Sequence, residues 1–188
     1  MTPTTQEIAQ TLAWCRRQRN PLNALNETIL ASVDRTRRLH DGSYPGQFWS
    51  RQREIAQALH DPAITTVVVP AGHSVGKSYL AGRVIIGWNL LHPASLVVST
   101  GPSNTQIEEV LWKEVRGAFR RSVVSHLGRL TANPQKLDFG DGHHALGYST
   151  NKAERLQGHH ALGPVLVVVD EASGVEDPDV WATLTSLK

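Results

Sequence analysis

Cysteine is nearly missing from this sequence: Cys15 is the only one among 188 residues. An internal disulfide needs two, and a cysteine-rich zinc site needs more, so both are excluded. Long apolar runs are missing as well. The longest, Val165-Leu166-Val167-Val168-Val169, has five residues, against roughly 20 for a membrane-crossing helix. The opening, Met1-Thr2-Pro3-Thr4-Thr5-Gln6-Glu7, has neither the basic segment nor the apolar stretch of a secretory leader. These absences lead to the expectation of an intracellular, cytoplasmic protein with no membrane partner. Net charge is small too, +2 from 19 basic and 17 acidic residues, and names no ligand class by itself. What is present is the balance of a globular chain, 40% apolar and 19% charged, long enough for one domain or slightly more around a sizeable core.

The basic residues are unevenly spread. Arg16, Arg17, Arg19, Arg35, Arg37, Arg38, Arg51 and Arg53 put eight cations in the first 60 residues, against five acids, and Arg116, Arg120 and Arg121 form a second group. Two readings stay open: solvated helix faces, or contact with a polyanion such as DNA phosphates.

Hydrophobic spacing divides the chain. Residues 5–20 read as a helix, ended or restarted at Pro21. The turn-rich Asp41-Gly42-Ser43-Tyr44-Pro45-Gly46 is the best boundary, separating a helical arm, 1–43, from the rest, 44–188. Beyond it, helix-like segments (48–59, 77–91, 104 to about 125, and 179–187) alternate with β-branched apolar runs (65–69, 96–100 and 165–169). Residues 137–148 read as two short strands around an Asp-Gly turn. Strands apolar on both faces, alternating with helices, predict an α/β fold with a mostly parallel sheet flanked by helices.

The expected strand 65–69 runs into Pro70-Ala71-Gly72-His73-Ser74-Val75-Gly76-Lys77-Ser78 and then a helix. This is the phosphate-binding loop pattern of P-loop NTPases, with Ala71 at the usual first glycine. Small residues let successive backbone N–H groups from Ala71 to Gly76 curl around a phosphate, and the helix start adds its partial positive charge. Lys77 would neutralise the β- and γ-phosphates, and Ser78 would offer its hydroxyl to Mg²⁺. The matching carboxylates follow the last apolar run as Asp170-Glu171. Asp170 suits the Mg²⁺ shell and Glu171 suits a base for the attacking water. Two adjacent anions there repel unless a cation is bound. Together the motifs predict a nucleoside-triphosphate hydrolase.

Other positions carry two readings each. Gln52 suits hydrogen bonding to an adenine edge or is an exposed helix residue. Ser99-Thr100-Gly101-Pro102-Ser103 couples the site to a partner or to DNA, or is a plain strand-to-helix cap. Arg155 is an arginine finger reaching a neighbouring subunit's nucleotide or a surface arginine. His143-His144 and His159-His160 look like ligand pairs, but adjacent side chains diverge and cysteine is nearly absent, which disfavours zinc.

The series from the Gln52 segment through Ala71–Ser78, Ser99-Thr100-Gly101-Pro102-Ser103-Asn104-Thr105-Gln106, Val110-Leu111-Trp112-Lys113-Glu114 and Tyr148-Ser149-Thr150…Arg155-Leu156-Gln157-Gly158-His159-His160 to Val167-Val168-Val169-Asp170-Glu171-Ala172-Ser173 resembles the large terminase subunits of tailed bacteriophages. The resemblance covers about residues 44–188. It implies an additional-strand, catalytic-glutamate ATPase using ATP and Mg²⁺ to drive double-stranded DNA into a procapsid. It further implies a homo-oligomeric ring at the portal protein, a small terminase subunit as partner, and a location in the host cytoplasm. By the resemblance, Lys77 and Ser78 go to phosphate and Mg²⁺, Asp170 to Mg²⁺, Glu171 to water, Gln52 to adenine and Arg155 to a trans-acting finger. A superfamily 2 helicase-like fragment is a second reading, weakened by Ser173 where those enzymes usually carry Asp or His. A non-catalytic remnant binding DNA or capsid is a third.

Large terminase subunits continue with a coupling motif and an RNase H-like nuclease domain, neither of which these residues supply. In such ATPases the strand after the Asp-Glu strand inserts between it and the phosphate-loop strand, so a gap in the sheet is expected here. The expectation is an apparently truncated ATPase piece that by itself folds poorly or turns over weakly. Melting temperature and ATP turnover measured beside a longer version check this; equal values for the two would contradict it.

Overall fold

The computed structural model describes residues 3–31, 35–40, 42–150 and 162–187. The fold is α/β, with a five-stranded mixed sheet flanked by helices. The strands are β1 (Leu96–Gly101), β2 (Arg129–Ala132), β3 (Gln135–Gly140), β4 (His143–Ser149) and β5 (Val165–Val169), in the order β2-β3-β4-β1-β5. β1 pairs in parallel with β4 and β5, whereas β2, β3 and β4 pair antiparallel. The expected mostly parallel sheet is therefore corrected to a mixed one. The cause is local: Asp141 (φ 50°) and Gly142 (φ 79°) both take the left-handed backbone that a tight hairpin needs. That folds β3 back onto β4, and β2 continues the meander.

One expected strand does not form. Residues 65–69 enter no ladder, and Val68 is 81% exposed. β-Branched residues favour a strand only where a partner and a covering layer exist. Among the described residues the sheet ends at β5, which pairs with β1 alone; with no strand at 65–69, β5 is an open edge and the gap expected in the middle of the sheet is not seen. β5 is accordingly half-buried.

The helices are α1 (Thr5–Arg16), α2 (Pro21–Leu25), α3 (Ser50–Ala58), α4 (Lys77–Leu91), α5 (Trp112–Arg121) and α6 (Pro178–Ser186). Wider π turns stand at Asn26–Leu30 and at Gln106–Leu111. The second replaces the first part of the single long helix expected over 104–125. α4 is apolar nearly all round, the pattern of a buried helix; ten of its 15 residues are buried. It joins the sheet on one side to α1 and α2 on the other in one cluster containing Ile8, Leu22, Leu25, Ile85, Val97 and Ala145. The arm is thus packed into the same core as the rest. Leu22 and Leu25 press against Gly87 of α4, where a Cβ would collide with them.

Polar bonds fix the far end of α4. Arg16 donates from Nε to Leu91 O (2.8 Å) and from its guanidinium to Leu90 O (2.9 Å), placing a cation on carbonyls that lack helical partners. Asn89 donates to Ser95 O (3.0 Å) and His144 O (3.3 Å), tying α4 to the approach to β1 and to β4. Arg53 bonds Phe48 O at 2.7 Å, and Arg116 bonds Gln135 and Glu108 O, both at 2.7 Å. Arg16, Arg53 and Arg116 therefore have structural duties that neither reading of the basic residues anticipated.

His60, Trp88 and His92 stack beside this end of α4, with ring centroids 4.3–5.8 Å apart. Burial first, then the neighbouring His60 and Arg16, pushes His92 down to about 4; burial also lowers His60. The folded chain thus resists protonation that the unfolded chain accepts at about pH 6.5. Stability present above pH 6.5 is lost as pH falls toward 4. Chemical denaturation across this interval is expected to show the decline, and His92→Phe, which keeps a ring there, is expected to flatten it.

Candidate phosphate-loop and carboxylate site

The loop from Ala71 to Gly76 stands at the start of α4, with Ala71 to Val75 exposed and Gly76, Lys77 and Ser78 half-buried. Ser74 (φ 60°) and Gly76 (φ 83°) adopt left-handed conformations on either side of Val75. Such alternation turns successive N–H groups toward one concavity, a geometry suited to anions. Lys77, Ser78 and Tyr79 follow as the first residues of α4, whose amides lack partners one turn earlier.

The Lys77 amine is held over this loop. Nζ donates to Ala71 O at 3.1 Å and Gly72 O at 2.9 Å, and lies 4.0 Å from Glu171 Oε1. Lysine and carboxylate, distant in sequence, meet because α4 starts on the side of the fold where β5 ends. The pairing of β1 and β5 controls the second half: Thr100 lies opposite Val169, and the next amide, Asp170 N, donates to Thr100 O at 2.9 Å. At Gly101 a Cβ would stand 3.1 Å from Asp170 O, so the missing side chain permits this close passage.

Asp170 is 8% exposed. Its Oδ1 accepts from Glu171 N at 3.2 Å, and its Oδ2 faces Gln106 Nε2 at 3.5 Å. Burial, mainly, raises its pKa above the ordinary carboxylate value. The Glu171 charge adds to the rise, while Gln106, the Glu171 amide and Lys77 oppose it. The site thus contains a desolvated carboxylate that a further cation would stabilise. Glu171 has φ 51° and ψ 49°, left-handed backbone that costs a non-glycine residue about 1–2 kcal/mol. Strain of this kind gathers at functional sites, and here it directs the second carboxylate toward Lys77.

Gln106 is the neighbour that sequence reasoning missed as a site residue. Its reach depends on the π turn that it opens, which no periodicity announces. The Ser99–Ser103 segment behaves partly as a cap: Ser103 Oγ accepts from Gln106 N at 3.1 Å. Gln52 is 5% exposed rather than an open surface group. Its Nε2 donates to Gly76 O at 3.0 Å, and its Oε1 accepts from Trp49 N at 3.3 Å. Arg155, His159 and His160 lie outside the described residues. His143 and His144 are half-buried in β4, and among the described residues no three His, Cys, Asp or Glu side chains cluster for a metal.

The donors fit Mg²⁺ in kind: one hydroxyl at Ser78 and one buried carboxylate at Asp170, both hard oxygen ligands. An ion there would take its remaining ligands from phosphate and water, as Mg²⁺ prefers. Among the described residues no helix is long and apolar enough to cross a membrane. Compared with protein-family models, curated proteins and solved structures, the chain matches none.

Gly76 makes the loop geometry testable. A Cβ at this position would sit 2.8 Å from Gln52 Nε2, in addition to left-handed strain of about 1–2 kcal/mol. Gly76→Ala is expected to lower the thermal midpoint by several degrees. An unchanged midpoint would contradict the need for this backbone conformation.

Proposed function

We propose that the chain is a P-loop ATPase of the additional-strand, catalytic-glutamate type, the ATPase part of a phage large terminase subunit. The observation that carries the reading is the approach of Lys77 to Glu171 above the carbonyls of Ala71 and Gly72. A cation, an anion-turned loop, a helix start and two carboxylates converge, and this combination suits a triphosphate with its metal. The DNA, portal, procapsid and small-subunit partners, and the ring of subunits, rest on the sequence resemblance.

In this reading the loop amides and the start of α4 receive the β-phosphate. Lys77 exchanges its loop carbonyls for phosphate oxygens and neutralises charge that shifts during transfer. Ser78 and Asp170 would hold Mg²⁺, which supplies further neutralisation of the triphosphate. Glu171 orients water and takes its proton as the oxygen attacks the γ-phosphorus; the bond to the β-γ bridging oxygen breaks and ADP leaves. Half-exposed Glu171 has access to water, whereas Asp170, tied to Thr100 and Gln106, does not share that freedom. Arg155 is proposed as a finger acting on a neighbouring subunit's nucleotide.

Glu171→Gln keeps size and hydrogen bonding but cannot accept the proton. It is expected to keep ATP binding while turnover falls by a factor on the order of 10²–10⁴. Lys77→Ala is expected to lose binding itself. Calorimetry for binding and phosphate release for turnover check both; turnover retained by Glu171→Gln would contradict the assigned base.

A further inference from the structure

We infer that Gln52 is a positioning residue of the phosphate loop, clamping Gly76, and that it does not read the adenine edge. The inference rests on the proposed phosphate-binding role of residues 71–78. A glutamine amide has two N–H donors and one carbonyl acceptor. Both ends of this one are committed to the backbone: Nε2 to Gly76 O at 3.0 Å, Oε1 to Trp49 N at 3.3 Å. The partners fix the orientation, because Gly76 O can only accept and Trp49 N can only donate. One N–H and one lone pair stay unused, but with the residue 5% exposed the amide edge is largely closed to a base.

The clamp acts at the hinge of the loop. Gly76 carries φ 83°, is the last residue before α4, and its carbonyl also accepts the first bond of α4 from Leu80 N at 3.1 Å. Gln52 therefore locks the Gly76–Lys77 peptide plane, and with it the direction of the Lys77 amide that closes the loop. Two further contacts brace the same joint. Phe48 and Tyr79 meet edge to face at 6.4 Å, and Tyr79 OH donates to Gly46 O at 2.9 Å. Any shift of α3 is consequently passed to the phosphate loop, which makes the segment 46–52 a positioning element for phosphate.

The two roles predict different ligand dependence. A base reader matters for ATP alone, whereas a clamp matters equally for ATP, GTP and inorganic tripolyphosphate, which has no base. Gln52→Met removes both bonds at similar size. Gln52→Glu keeps an acceptor for Trp49 N but offers no donor to Gly76, so it retains the α3 cap and loses the clamp. Calorimetry with each ligand and Mg²⁺, and hydrogen exchange over residues 72–78 without ligand, read the outcome. Expected is a loss of roughly five- to tenfold in affinity, equal for all three ligands in both variants. Faster exchange confined to the loop is expected alongside it. Loss for ATP alone, or unchanged affinity together with unchanged loop exchange, would overturn the inference. A wild-type chain that binds none of the three ligands would overturn the nucleotide reading instead, and loop exchange in the variants would then decide the clamp by itself.

Discussion

The burial of α4 is the constraint on which the candidate site depends. A helix that is apolar on nearly every side cannot rotate or slide without exposing part of that surface. The sheet holds one side, α1 and α2 hold another, Arg16 of α1 binds the carbonyls of its far end, and Asn89 ties that end to the carbonyls of Ser95 and His144. Lys77 and Ser78 start this helix, so their place is set by packing that extends well beyond the loop. The N-terminal arm contributes directly, because Leu22 and Leu25 fill the hollow over Gly87.

The carboxylates are fixed by a separate device, the parallel pairing of β1 and β5. It delivers Asp170 to the carbonyl of Thr100 as the strand ends. Desolvation makes Asp170 reluctant to carry charge, and Lys77 partly offsets this. Glu171, one residue on, bends away through a left-handed backbone. Two adjacent carboxylates thereby acquire different surroundings, one buried and bonded, the other near the lysine with access to solvent. Such separation is how neighbouring acids take different roles.

Much of this was legible from residue patterns. α4, β1, β5 and the β3–β4 hairpin follow their expected limits closely, since long apolar periodicity, β-branched runs and an Asp-Gly turn act locally. The meeting of Lys77 with Asp170-Glu171 was legible as well, because a phosphate loop and a strand-end acid pair suggest one another. Residues 65–69 were misread, since strand formation depends on a partner that lies outside the segment. β2 was overlooked because Arg129–Ala132, exposed at both ends and half-buried between, carries little pattern. The π turn at Gln106 and the bond from Gln52 to Gly76 were hidden for the same reason: each depends on how two distant helices or strands approach.

The most direct measurement is a crystal structure with Mg²⁺ and a non-hydrolysable ATP analogue bound. The account predicts the triphosphate in the 71–76 loop, with the Lys77 amine bonded to its β- and γ-oxygens and the metal beside Ser78 and Asp170. A triphosphate bound elsewhere, with Lys77 still paired to its loop carbonyls, would contradict it.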